Sequence, residues 1–163
     1  EDFEEIPKRE LDETVVMRGM QSFVKARCNQ CHVVSGHGIN LGPELTKISE
    51  RMNGKKLLQQ IIQPSLELNK QFQNHQFILL DGTVASGVII EETLKQYKIA
   101  SNLLDPKNVE LIDKDQIDEQ IPSKISAMPS GMLDVLTRDE ILDLISFLEA
   151  GGHQANPHNS KSH

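Results

Sequence analysis

Only two cysteines occur in the 163 residues, and they stand close together in the stretch Cys28-Asn29-Gln30-Cys31, followed at once by His32. No third cysteine is present to pair with either of them. The two thiols are therefore joined to each other, engaged by a metal, or used to attach something that is not protein. Any fold for this chain must present Cys28, Cys31 and His32 together at one place.

The pattern around the pair is helical. Val16, Gly19, Met20 and Phe23 recur at three- and four-residue spacing within 13–30, which predicts an amphipathic helix that ends at the cysteines. Residues 35–43 form a glycine-rich loop, and 44–52 also carry a helix-compatible pattern. Residues 54–64 predict a second helix, stopped by Pro64. The texture changes after about residue 70. Two apolar runs flank Asp81-Gly82, the strongest short hairpin signal, and 95–101 and 108–114 are further strand candidates. The block 71–122 thus reads as a small antiparallel sheet. Helix returns where Thr137 and Glu140 make a capping box ahead of Ile141, Leu144, Ile145 and Leu148 on one stripe, and Gly151-Gly152 close it. Residues 1–12 are an acidic lead-in or linker, and 151–163 a polar, flexible tail. The expected fold class is mainly α, one domain over 13–150, with a small sheet inserted between its helical ends.

Three ordinary readings of the cysteines compete with a cofactor. A thioredoxin-like redox pair sits at a helix N-terminus beside a βαβ unit, whereas this pair follows a helix and has no such unit around it. A structural zinc site needs four ligands. Cys28, Cys31, His32 and His37 supply that number only without a second CxxC or an HxxxH. Chance is the third. Against them, Cys-x-x-Cys-His is the attachment signature of c-type haem. Each thiol adds to one vinyl group, and the adjacent histidine is held where its imidazole can ligate the iron. Aromatic residues are only 4% of the chain, with no Trp, which fits a core partly built around a non-protein group.

Gly19, Phe23, Cys28-x-x-Cys31-His32, Gly42-Pro43, Leu45, Met128-Pro129 and Phe147, taken in that order, resemble the class I c-type cytochromes. The longer succession of Ile62–Ser65, Asp81, Gly82, Gly87 and Glu92 ahead of Met128 resembles a subgroup of haem domains abundant in planctomycetes. The resemblance implies a cytochrome c-like helical haem domain with the β block, at about 71–122, inserted before the axial-Met loop. It implies one covalently attached haem c, with Pro43 accepting a hydrogen bond from His32 and Leu45 packing against the porphyrin. The iron would be held by His32 and Met128, with Met132 as the alternative sixth ligand. Met17, Met20 and Met52 read as core fillers, and His75, His37, His153, His158 and His163 as surface, loop or tail residues.

The expected function is a monohaem electron carrier rather than an enzyme, passing single electrons between redox partners. A fused or associated dehydrogenase is among the partners that the resemblance implies. The alternative is a haem enzyme or gas sensor with a displaceable sixth ligand. A net charge of −7 with scattered basic residues argues against nucleic acid as a partner. No apolar run approaches the roughly 20 residues of a membrane span. The start "EDFEEIPKRE" reads as a mature secreted chain or a piece of a longer one, and haem attachment places the expected protein in the periplasm or outside the cell.

Overall fold

Val15, Gly19, Ser22 and Phe23 are buried along one side of α1 (Glu13–Lys25), the stripe that a period of 3.6 residues puts on one face. Asp12 caps the helix by accepting from Val15 N at 2.7 Å. The computed structural model describes residues 6–7, 9–105 and 107–153. The outer lead-in at 1–5 and the tail from 154, with His158 and His163, lie outside the described residues.

The buried face of α1 packs on α3 (Arg138–Glu149), where Leu144, Ile145, Phe147 and Leu148 are nearly inaccessible. The rings of Phe23 and Phe147 meet at 5.9 Å between centroids, tilted by 51°. Gly19 permits this approach, because a Cβ there would run into Phe147 Cβ and lie 2.6 Å from the Asp143 carbonyl. Asp143 is buried beneath the crossing; it accepts from Arg18 Nε at 2.6 Å and forms an ion pair with Arg9, whose Nε lies 3.1 Å away. A carboxylate this deep is tolerable because two guanidinium groups satisfy it. The capping box of α3 has both arms, Glu140 N to Thr137 Oγ1 at 3.3 Å and Thr137 N to Glu140 Oε2 at 2.7 Å.

Asn53 caps the short helix α2 (Gly54–Ile62), which buries Leu57, Leu58 and Ile61. Between α1 and α2 the chain makes two-residue strands β1 (Val33–Val34) and β2 (His37–Gly38), paired antiparallel. The expected helix at 44–52 is only a tight turn at 48–50.

The remaining architecture is a five-stranded antiparallel sheet. Its strands are β3 (Asn74–Leu79), β4 (Val84–Glu92), β5 (Gln96–Ala100), β6 (Val109–Asp113) and β7 (Ile117–Pro122), in the order β6-β5-β4-β3-β7. Phe77 lies opposite Ala85, Ile89 opposite Ile99, and Tyr97 opposite Ile112. These pairs build a core of their own, with Phe77 and Ile99 fully buried. Tyr97 stacks on Phe77 at 5.6 Å and lies under the Lys114 ammonium at 4.5 Å.

The mainly α expectation is therefore wrong. Helical residues are 32% and strand residues 24%, with three α-helices among the described residues beside the five-stranded sheet. The helices are short, and the strands pair into a complete layer with its own core, so neither class dominates. Met17, expected in the core, is 56% exposed, while Met20 and Met52 pack against it.

Candidate functional site

After Ala26 the chain leaves α1 through Arg27, whose φ of 61° places it in the left-handed region. This bend turns Cys28–Gln30 into a single tight helical turn, in which Cys31 N and His32 N both donate to the Cys28 carbonyl, at 3.1 and 2.9 Å. Spacing by two residues within such a turn brings both thiols and the imidazole to the wall of one cavity.

The loop that follows is wrapped around this turn by its backbone. Leu41 N and Gly42 N donate to the Cys31 carbonyl at 3.0 and 2.7 Å, and Leu45 N to the Val33 carbonyl at 2.8 Å. The Pro43 carbonyl is thereby set against His32 and accepts from Nδ1 at 2.7 Å. With its hydrogen on Nδ1, the imidazole keeps Nε2 as a bare lone pair. Gly42 lies so near the ring that a Cβ there would be 2.9 Å from Cε1. Burial lowers the pKa of His32, against the Pro43 hydrogen bond that raises it, so the ring is held neutral.

Cys28 and Cys31 are free thiols. Burial pushes Cys28 up to about 11, with a smaller rise from neighbouring Cys31, and burial also raises Cys31. A redox-active pair needs the opposite shift. No group of three or more His, Cys, Asp or Glu among the described residues could hold a metal ion, which disposes of the four-ligand zinc arrangement with His37. His37 is exposed on β2, and His75 sits in β3 away from the cavity lining.

The cavity has a volume of about 190 Å³ and opens to solvent at its mouth. Its walls are chiefly apolar. Leu45, Ile48, Met52, Leu57 and Ile61 line it together with Pro43. Met128 and Met132 are on the wall as well. The Met128 segment is tied down from two sides, by Ser126 N to Ser65 Oγ at 3.0 Å and Met128 N to Ser126 Oγ at 3.1 Å. The structure thus brings Cys28, Cys31, His32, Pro43, Leu45, Met128 and Met132 to one cavity. Sequence reasoning missed Leu103 and Leu104, which reach the same wall from the loop between β5 and β6. Nothing local in the sequence marks them, because their neighbours in the cavity lie far away along the chain.

A family model described as Cytochrome c matches residues 16–77, from α1 through both cysteines, His32 and Pro43 into β3. No curated protein matches the chain. The family match supports a haem-binding electron-transfer protein of the c type, which implies redox partners. It also implies covalently attached haem c, and Cys28 and Cys31 have the spacing of the attachment motif. Among the described residues no helix is long and apolar enough to cross a membrane.

Proposed function

We propose that the chain is a monohaem electron carrier in which Cys28 and Cys31 would bear the haem and His32 and Met128 would ligate its iron, with Met132 as the alternative to Met128. The observation that carries this reading is the His32 ring, its Nδ1 bonded to the Pro43 carbonyl and its Nε2 left bare, on the wall of an apolar cavity that two free thiols also line. The residues fit the group chemically. Cys28 and Cys31 would hold the group as thioethers, each S–H adding across one vinyl group, sulfur to one carbon and hydrogen to the other, with no electron gained or lost. When bound, haem supplies an iron that takes up and releases one electron, and a His/Met pair favours a high potential.

The protein's own contribution is orientation and dryness. Pro43 fixes the His32 ring and its tautomer and raises its basicity as a ligand. Gly42 gives the ring room. Leu45, Ile48 and Leu57 exclude water, and the two serines steady the segment that presents Met128. The acidic surface favours basic redox partners by steering their approach, and a fused or associated dehydrogenase is one partner of this kind. Because thioether attachment takes place outside the cytoplasm, the proposed location is periplasmic or exported.

The test is an absorption spectrum, oxidised and reduced, of protein made in a host that matures c-type cytochromes, together with its mass under denaturing conditions. A sharp reduced α-band, a weak red-edge band when oxidised and a mass raised by one haem are expected. A haem spectrum without the red-edge band removes methionine as the stable ligand. Binding of carbon monoxide by the untreated reduced protein turns the reading toward a sensor or enzyme. A colourless protein of bare sequence mass removes the reading altogether.

A further inference from the structure

The loop between β5 and β6 reaches the cavity that holds the cysteine turn. Its base is rigid, since Ile99 and Ala100 at the end of β5 are buried. Its course is set locally: Leu104 N donates to Asn102 Oδ1 at 2.9 Å and Asp105 N to the Asn102 carbonyl at 3.1 Å. Between exposed Asn102 and exposed Asp105, Leu103 and Leu104 are half-buried. Both line the cavity that holds Cys28, Cys31 and His32, and the Leu103 carbonyl lies 3.9 Å from Cys31 Sγ. An exposed loop gains nothing by turning two leucines inward unless there is apolar surface for them to cover.

We propose that Leu103 and Leu104 form an apolar cover over the Cys31 side of the haem site, so that the sheet sets water access to the redox centre and thereby its reduction potential. The inference rests on the haem reading above. Removing water from one side of the site disfavours the more highly charged oxidised form, which raises the potential. The same cover slows small hydrophilic reagents that would otherwise exchange electrons directly. Leu103 and Leu104 are positioning residues in this scheme, since they act through solvent and not on the iron.

The holo-protein carrying Leu103→Ala and Leu104→Ala decides the matter, compared with wild type and with Leu94→Ala, a 99% exposed residue between β4 and β5. The expected result is a lower midpoint potential and several-fold faster reduction by ascorbate, with the α-band unmoved. Leu94→Ala should match wild type in both assays, and Leu103→Met with Leu104→Met should restore the wild-type values, which general loosening of the fold would not predict. If the double alanine variant does not accumulate with haem, Leu104→Ala alone is read in the same two assays. An intact α-band with unchanged potential and rate overturns the cover and leaves the haem reading standing. Absence of covalent haem from the wild type overturns both.

Discussion

The helical half and the sheet solve the same packing problem in different ways. In the sheet, Phe77, Ala85, Ile99 and Ile112 close on one another, and two of the four have no accessible surface. In the helical half, Phe23, Val34, Ile48, Leu57, Leu144 and their neighbours pack just as tightly on the α1–α3 side. On the other side, however, Leu45, Met52 and Met128 line open space. One core is complete in protein alone, while the other keeps an apolar wall whose burial by an occupant would add to its stability. A ligand that binds the folded state alone stabilises it by mass action, and a covalent one remains at the site permanently. The low aromatic content belongs to this half of the problem: where rings would otherwise fill the core, a cavity stands.

The sharpest way to break the comparison is to deny the helical half its occupant. Cys28→Ala with Cys31→Ala should abolish covalent haem, read as the loss of the mass increment after denaturation, and should cost much of the helical circular dichroism. The sheet carries the chain's only tyrosine, Tyr97, and there is no tryptophan to mask it. Its emission in the variant should remain that of the folded sheet. If Tyr97 instead reports an unfolded environment, the two halves fold as one and the contrast fails.

Phe77→Ala attacks the other side. It removes a fully buried ring that packs on Tyr97, and large-to-small changes of this type cost about 3–5 kcal/mol. Denaturant midpoints followed by Tyr97 emission should fall accordingly, with the haem band position kept. A shifted band in the folded variant would mean that the sheet core, and not only its β5–β6 loop, shapes the site.

Gly19→Ala is smaller and sets two effects against each other. Alanine favours a helix over glycine by about 1 kcal/mol. The new Cβ, however, would collide with Phe147 and approach the Asp143 carbonyl to 2.6 Å, and such overpacking costs about 1–3 kcal/mol. The neighbour on one side is backbone and cannot give way, so net destabilisation of the helical half is expected, seen as a lower thermal midpoint of the haem band.

These contrasts also explain what was legible in the sequence. The cysteine turn, the α3 capping box and the Asp81-Gly82 turn are local devices, and each can be read within a few residues; Gly82 takes a φ of 82° as its turn requires. The sheet's edge was not legible. β7 is almost wholly exposed and joins β3 some forty positions earlier in the chain, so neither its polarity nor its neighbours announce a strand. That hidden strand is part of why the helices appeared to dominate. In the site, Pro43 could be placed by its likeness to a known pattern, whereas Leu103 and Leu104 depend on a fold that returns a distant loop to Cys31. Arg18 and Asp143 meet across 125 positions for the same reason.

The smallest effect separates the halves by acidity. Glu140 accepts from Lys25 Nζ at 2.7 and 3.0 Å and from Thr137 N at 2.7 Å, which joins α3 to the end of α1. The Lys25 hydrogen bond, then the Thr137 backbone, hold its carboxyl below the ordinary value of 4.5. A folded-state pKa that is depressed adds stability above the unfolded value, and this is lost as pH falls through the folded one. Glutamine at 140 keeps the shape of the capping box but not the charge. Glu140→Gln should therefore be less stable than wild type at neutral pH, and the two should converge as pH falls through the lowered folded value, where the wild-type carboxyl takes up its proton. In the sheet, the Thr83 hydroxyl and then its backbone N–H lower Asp81 in the same direction. Asp81→Asn should narrow its own gap to wild type over a similar acid range, visible in Tyr97 emission and absent from the haem band. A Glu140→Gln deficit that persists unchanged into acid would mean that Lys25 contributes through packing of its stem on α3 and not through charge.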